Sequence, residues 1–504
     1  MCGFVFTTNN GVAKVALQKQ LHRGPDGFRI WKDDTATIAH ALLDISGARQ
    51  FQPYVTPAGN ILAFNGEMFD SPIENDTEWL AKGLDTYGLT FVQNTDWQGA
   101  FVFYKPNERK VFAVRDHFGA KPLWWGKQNG AFTIATSLKS FIHKEVDDSK
   151  LKTYQIFGQC FGSETIYKDI DKVGPGEIIE IDFNKKAVFR SNLWDSYKIR
   201  SAKFNPEEFI EKTKESILKV AKTKQKLGLF LSGGLDSTVV ASVLAKEKVD
   251  VELWTCGYNL SQKATYWSHD GFDGEKQMAI VTADWLGLPI NKVVLDRDDR
   301  YSYGKMWLAN THYPWADCNR QAPRYLLAKA ASRSGCKVIL TGDSGDELFT
   351  GYTHHDKRHD DAQCQRLMTT ALKDPSFPKG VFGSDMQNNS FFIDLLTTSE
   401  QNILATDQTI GMFGMEGRIP FLTQNYAKYV ISINSKDKFQ QLPEYADRWT
   451  TKYFMREVMK DYLPDHVRYR PKKTGWSSPW DNNHDNTQKK WRNLDIEFLR
   501  QVAY

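Results

Sequence analysis

A chain of 504 residues is long enough for two or more domains with cores of their own. Its 65 basic and 61 acidic residues leave a net charge of +4, with 41% hydrophobic and 25% charged side chains, a balance that marks neither a nucleic-acid nor an anionic-membrane partner. Apolar runs fall short of the ~18 residues of a membrane span, the N-terminus turns polar by Thr7 without a signal-peptide pattern, and six scattered cysteines with no CxxC pair argue against a zinc site or a disulfide framework. The expected class is a soluble cytoplasmic enzyme.

The chain opens Met1-Cys2-Gly3, ahead of a short apolar strand over Gly3–Thr7. A small residue at position 2 permits removal of Met1, which would leave Cys2 with a free α-amine. Such an amine has a pKa of ~7.7–8.0 and is able to act as base for its own thiol. On this feature alone a buried structural thiol competes. Further strands are expected at Phe28–Lys32, Thr35–Ala41, Asn60–Asn65, Ala100–Tyr104, Lys110–Val114 and Ala131–Thr136, and a helix opens at Asp76-Thr77-Glu78. Turn signals at Asn107-Glu108 and Gln128-Asn129-Gly130 separate hairpin partners, and the tight turn Val173–Glu177 leads into a strand at Ile178–Ile181. Between these elements lie HRGPDGF (22–28), NGEMFD (65–70) and RDHFGAKPLW (115–124). Periodicity is lost over residues 192–206, which sets a domain boundary there.

After it the pattern changes. A helix over Pro206–Lys224 precedes an apolar strand, Leu227–Leu231, the loop Ser232-Gly233-Gly234-Leu235-Asp236-Ser237, and a helix over Thr238–Lys248. Strands at Val249–Cys256, Asn291–Leu295 and Lys337–Leu340 alternate with helices at Asp273–Leu286, Arg300–Thr311 and Pro323–Ser334. Such alternation predicts a doubly wound parallel sheet with ligands at the carboxyl ends of its strands. Paired glycines let backbone N–H groups approach a ligand, and a helix N-terminus favours an anion. No lysine follows the glycines, so the loop is not the GxxxxGK[ST] type; an ordinary strand–turn–helix is the bland alternative. A second polar stretch, Thr341-Gly342-Asp343-Ser344-Gly345-Asp346-Glu347, follows the last strand, and an acidic helix cap is its bland counterpart. The run THHDKRHDD (353–361) lacks fixed metal-ligand spacing and is expected to be an exposed loop. The region to residue 392 is expected to be a loop-rich insertion, and no role is assigned to the tail from Trp476.

Taken in order, MCG, HRGPDGF, NGEMFD and RDHFGAKPLW resemble the class II glutamine amidotransferase domain, over residues 2–195. The resemblance implies an αββα sandwich in which Cys2 attacks the glutamine side-chain amide. Asn65 and the Gly66 N–H would form the oxyanion hole, a device worth ~3–4 kcal/mol per donor. Asp76 would hold the substrate's α-ammonium, Glu67 would add polar contacts in the same pocket, and Arg23–Asp26 would shape the loop over it. Where the family carries an arginine clamp for the α-carboxylate, in the segment Ala39-His40-Ala41-Leu42-Leu43, this chain has Leu42; Arg49 is the candidate substitute. A bidentate arginine is among the stronger carboxylate contacts.

SGGLDS resembles the pyrophosphate loop of N-type ATP pyrophosphatases. TGDSGDELF with its trailing Gly351-Tyr352, GMEGRIPFL (414–422) and Tyr469–Lys473 resemble asparagine synthetase elements, so residues 206–504 are similar to that family's synthetase domain. The resemblance implies that Leu231, Ser232, Gly233, Gly234, Asp236, Ser237, Gly257 and Gly342 bind ATP and pyrophosphate, and that Asp236 and Asp346 serve Mg2+. Asp343 stands where the family has a glutamate beside the acyl acceptor, and Lys472 would neutralise charge at the α-phosphate. Thr423 replaces an aspartate, and the family's acidic ExYD segment becomes Thr311-His312-Tyr313-Pro314. The implied activity is glutamine-dependent asparagine synthesis from aspartate and ATP. Members of the family are often dimers, so a homodimer is one assembly the resemblance allows. Three alternatives stay open: an amide ligase or cyclase for another carboxylate, an ammonia-dependent synthetase whose glutaminase is impaired at Leu42, and a non-catalytic protein on an inherited fold.

Overall fold

The structure is a computed structural model that describes residues 1–47, 49–259, 274–316, 318–352, 355, 361–438, 452, 454–470 and 485–502. The N-terminal strands are β1 (Gly3–Thr7), β2 (Gly27–Lys32), β3 (Thr37–Leu42), β4 (Tyr54–Val55), β5 (Ile61–Met68), β6 (Trp97–Lys105), β7 (Lys110–Arg115), β8 (Trp124–Gln128), β9 (Ala131–Ala135), β10 (Ile170–Lys172), β11 (Glu177–Asp182) and β12 (Ala187–Asn192). They pair antiparallel in two six-stranded sheets, β10-β8-β9-β1-β3-β2 and β12-β11-β7-β6-β5-β4.

Strand alternation explains the layering. On β5, Ile61 and Ala63 face the other sheet and join Phe4, Phe6, Val102 and Tyr104 in the central core. Their neighbours Leu62 and Phe64 point the other way and are covered by Leu80, Ala81 and Leu84 of helix Asp76–Tyr87. Across the sandwich, Leu17 of helix Ala13–Gln18 covers Ala39 and Ala41 of β3. The order is helix, sheet, sheet, helix, as the resemblance implies.

The second sheet system comprises β13 (Leu227–Phe230), β14 (Glu252–Tyr258), β15 (Ile290–Leu295), β16 (Val338–Leu340) and β17 (Glu416–Arg418), all parallel, in the order β15-β14-β13-β16-β17. From β13 the chain winds outward to β14 and β15, then crosses to β16 and β17. The crevice between the ends of β13 and β16 is therefore the topological switch point, where open α/β sheets bind ligands. Both polar loops singled out in the sequence emerge there.

Three expectations change. The helix after β13 begins at Leu235, not Thr238, so Asp236 and Ser237 sit in its first turn behind Gly234. Strands β4, β8, β10, β12 and β17 were not foreseen; β12 pairs along all of β11 after a turn with Lys186 at φ 53°. The expected loop-rich insertion contains helices Asp361–Ala371 and Met386–Asp394. The second of these is polar in sequence because its buried amides cross-link backbone: Asn388 Nδ2 donates to Ile433 O at 2.7 Å and Asn389 Nδ2 to Gly383 O at 3.0 Å. Of the run 353–361, residues 353–354 and 356–360 lie outside the described residues.

The two parts are joined by buried charge. Helix Glu400–Gly411 of the C-terminal part presents Glu400 to Arg115 (2.8 Å) and Lys172 (2.6 Å), and Asp407 to Arg23 (3.2 Å) and Lys121 (3.1 Å). Helix Asp485–Val502 also bridges, since Asp495 accepts from the Tyr154 hydroxyl at 2.9 Å and from Cys318 N at 3.0 Å. Burial would raise the Glu400 carboxyl, but Lys172 and Arg115 outweigh it and hold its pKa below the ordinary value. A depressed acid stabilises the fold above its unfolded pKa and loses that contribution only as pH falls through the lowered folded value. Glu400→Gln leaves two buried cations short of their counter-ion, with an expected loss of ~3–5 kcal/mol at neutral pH. Urea unfolding at pH 7 checks this, and a shift below 1 kcal/mol (roughly the value of an exposed pair) contradicts it.

Candidate active site

The first centre forms where the start of β1 meets the second sheet system. Cys2 is buried; its Sγ receives Leu43 N at 3.4 Å, and Arg23 Nε donates to its carbonyl at 3.4 Å. Burial pushes the thiol up to about 11, with the carboxylates of Glu416 and Asp76 adding to the rise. Asn65, on β5, is fully buried, and neither polar atom of its amide has a hydrogen-bond partner among the described residues. A buried amide without a partner carries a desolvation cost that a bound oxyanion would relieve. Position 66 admits only glycine, because a Cβ would lie 2.2 Å from Gln98 O and 2.5 Å from Gly99 Cα.

Acidic groups crowd this pocket. Asp76 accepts from Met68 N at 3.3 Å; burial, then Glu67 and Glu416, hold its pKa well above the ordinary carboxylate range. A bound ammonium would relieve that strain, which suits the α-ammonium role that the resemblance implies. Glu67 is engaged differently, accepting from Arg418 Nη2 at 2.8 Å. Arg418 and Glu416 stand on β17, so residues of both parts build this pocket. They lay inside a motif quoted from the sequence, yet nothing in their spacing pointed toward Cys2. Leu42 is buried beside Cys2 in the apolar core. Arg49 is exposed, at φ 48°, and donates to Asp26 O at 3.5 Å, on the loop that the sequence assigned to the pocket's rim.

Met1 fills a niche on the far side. Its side chain packs with Trp254, Ile339, Ile410 and Met415 of the C-terminal part, and its amine is pulled down to about 5, chiefly by burial. A Cys2 amine exposed by Met1 removal would occupy the same low-dielectric surroundings and be neutral at pH 7, as a base must be. The acidic limb of kcat/KM for glutamine hydrolysis is thus expected well below the ~7.7–8.0 of an ordinary α-amine. A limb at pH 8 refutes this; a pH–rate profile of the mature protein decides.

At the second centre the loop after β13 is locked by its own hydroxyls. Ser232 N donates to Ser237 Oγ at 3.2 Å, and Gly234 N to Ser232 Oγ at 3.3 Å. Gly233 adopts φ +72°, and a Cβ there would lie 2.5 Å from Ala279 N. Leu231 is buried with its N–H on Trp254 O at 2.8 Å, and Gly257 lies on the adjoining strand β14. The loop after β16 packs directly on this one: a Cβ on Gly342 would lie 2.7 Å from Ser237 N. Next to it, Ser344 is held at φ 71°, a costly conformation for a non-glycine residue.

Asp236 and Asp346 converge. Lys452 Nζ bonds to both, to Asp346 Oδ1 at 2.7 Å and to Asp236 Oδ2. Burial would lower the Lys452 ammonium, but the two carboxylates outweigh it and raise its pKa. Among the described residues no group of three or more His, Cys, Asp or Glu side chains is placed to hold a metal. Two hard carboxylates beside the glycine loop nonetheless fit Mg2+, a cation that prefers carboxylate and phosphate oxygens. Lys452 was missed from sequence, since no motif marks it. Lys472, the lysine chosen there, lies outside the described residues.

Asp343 is fixed from two sides, by Thr341 Oγ1 at 2.9 Å and by Asn402 Nδ2 at 2.9 Å. Asn402 in turn accepts from Arg324, whose guanidinium lies 5.2 Å over the Trp315 ring. The altered segment Thr311–Pro314 packs between the two parts. Tyr313 packs on Trp124 at 6.3 Å and bonds Gln401, and Tyr167 donates to His312 O at 2.9 Å.

Comparison with known proteins gives two family matches, to "Asparagine synthase" over residues 208–497 and to "Glutamine amidotransferase domain" over residues 1–194. Amidase chyE of Penicillium rubens is 24% identical over 91% of this chain and 83% of its own length. Amidase chry2 of Gibberella zeae is 27% identical over 67% of this chain, which spans 55% of that relative. Asparagine synthetase [glutamine-hydrolyzing] 2 of Oryza sativa subsp. japonica is 23% identical over 94% of this chain and 76% of its own. Among the described residues, no helix is long and apolar enough to cross a membrane.

Proposed function

The chain belongs to the asparagine synthase family, and from that premise we propose that it is a glutamine-dependent asparagine synthetase. The observation that carries the reading is the crevice at the switch point, where Asp236 and Asp346 meet at Lys452 beside Asp343. At the first centre the Cys2 amine takes the thiol proton, and the sulfur attacks the glutamine side-chain carbonyl. The oxyanion is held by Asn65 and the Gly66 N–H, and Asp76 holds the α-ammonium. The amide nitrogen leaves as ammonia with the proton from the amine, and water then cleaves the thioester to glutamate.

At the second centre the Ser232–Ser237 loop and Gly342 orient ATP, with Leu231 and Gly257 lining the adenylate side. An aspartate β-carboxylate oxygen attacks the α-phosphorus and pyrophosphate departs. Ammonia attacks the acyl carbon, AMP leaves, and the extra proton passes to Asp343 or solvent. Mg2+, held by Asp236 and Asp346 when bound, offsets the charge of the phosphates. Lys452 adds positive charge beside the two aspartates, and Lys472 is retained in the charge-neutralising role that the resemblance implies. Asp343 and Arg324 give the acyl subsite one anion and one cation, complementary to zwitterionic aspartate. Arg49 is retained as the α-carboxylate contact of the glutamine site. The partners are small molecules, in the cytoplasm.

A second reading, amidation of a different carboxylate, is favoured by the shorter acid at Asp343 and by two relatives that are named amidases. Incubation with glutamine, ATP, Mg2+ and aspartate, scoring asparagine, glutamate, AMP and pyrophosphate together, separates the two. Asparagine with AMP supports the first. Glutamate without asparagine sinks it, and a panel of carboxylates scored for AMP then identifies the acceptor.

A further inference from the structure

Helix Glu400–Gly411 touches both centres. Near its start, Asn402 Nδ2 donates to Asp343 Oδ1 at 2.9 Å, and the preceding residue Ser399 bonds Ser344 through their hydroxyls at 2.7 Å. Further along, Asp407 accepts from Arg23 Nη2 at 3.2 Å and faces Lys121 Nζ at 3.1 Å. Arg23 reaches on to the backbone carbonyl of Cys2 at 3.4 Å. Five residues of helix, ~7.5 Å of rise, separate the contact with the acyl loop from the contact with the nucleophile's neighbour. Asp407 and Arg23 are both buried, with 3% of each side chain exposed, so neither charge is screened by water. Arg23 opens the segment expected to shape the loop over the glutamine pocket, and Asp407 has no part in the chemistry above.

We propose that Asp407 is a positioning residue that couples the acyl site to the glutaminase, with helix Glu400–Gly411 as the strut between them. The proposal rests on the two-centre reading given above. An acyl substrate settling beside Asp343 meets Asn402. Every residue of the helix except Asn402 is buried, so it moves as a body and does not deform locally. Asp407 then carries Arg23, and with it the Cys2 carbonyl, toward or away from attack geometry. Glu400, with Arg115 and Lys172, is the fixed end about which the helix is held.

The test compares glutamine hydrolysis with and without ATP, Mg2+ and the carboxylate that supports AMP formation. Wild-type hydrolysis is expected to rise roughly tenfold with the acyl site filled. Asp407→Asn should bring that ratio to within about twofold of unity while basal hydrolysis and ammonium-dependent AMP formation persist, and Asp407→Glu should restore much of it. Should Asp407→Asn fail to fold, Arg23→Gln cuts the same link while leaving Asp407 on Lys121, and the same fall in ratio is expected. A wild-type ratio in either variant, or a wild-type ratio of one, overturns the proposal. Absence of glutamate or of AMP from the wild type with every carboxylate overturns the two-centre reading instead.

Discussion

Cys2→Ala is expected to abolish glutamine-dependent amide formation, by a factor on the order of 10⁴ or more, because among the described residues no other nucleophile stands beside Asn65 and Asp76 to form the thioester. Ammonium-dependent synthesis should stay within about twofold of wild type, since the substitution lies in the other unit from Asp236 and Asp343. Alanine removes only the sulfur, which receives one long hydrogen bond from Leu43 N, so the fold should survive. Parallel assays with glutamine and with ammonium chloride make the comparison. Loss of both activities would refute the two-centre reading, and retention of the glutamine reaction would remove Cys2 from the chemistry.

Asp236→Ala is expected to stop AMP and pyrophosphate formation with either nitrogen source, by at least about 10²–10³-fold. Asp236 stands in the first helical turn after the glycine loop, against Gly345 of the neighbouring loop, where a Cβ would lie 2.4 Å from its Oδ1. Glutamine hydrolysis by the variant should persist at its basal level, which shows that the protein is folded. AMP formation at more than a tenth of the wild-type rate would refute the metal role, whereas a loss confined to glutamine would move Asp236 out of the adenylation step.

The strand–helix alternation and the two polar loops at strand ends were legible in the sequence, because each depends on local periodicity and on glycines that backbone geometry demands, whereas the αββα layering was implied by the resemblance of the N-terminal motifs. Gly66 and Gly233 are cases in point: close backbone approach excludes a Cβ at either position, and the residue itself records the constraint. The helix start at Leu235 was misplaced because Asp236 and Ser237, polar and loop-like in sequence, serve the first turn of a helix that runs behind Gly234. Met386–Asp394 was mistaken for loop because Asn388 and Asn389 look solvent-facing until Ile433 and Gly383 supply their partners.

Only the tertiary structure decided the company that the site residues keep. Lys452 meets Asp236 across 216 positions of chain, and Arg418 meets Glu67 across 351. No spacing rule reaches so far, since such pairs are set by how two separately wound units dock and by the need to balance charge that docking buries. The sequence by itself determined two folds and the chemistry each is equipped for. The docking of one on the other brought Glu416, Arg418 and Asp407 beside the glutamine pocket, because a buried carboxylate or guanidinium at that interface is tolerated only where its counter-charge is waiting.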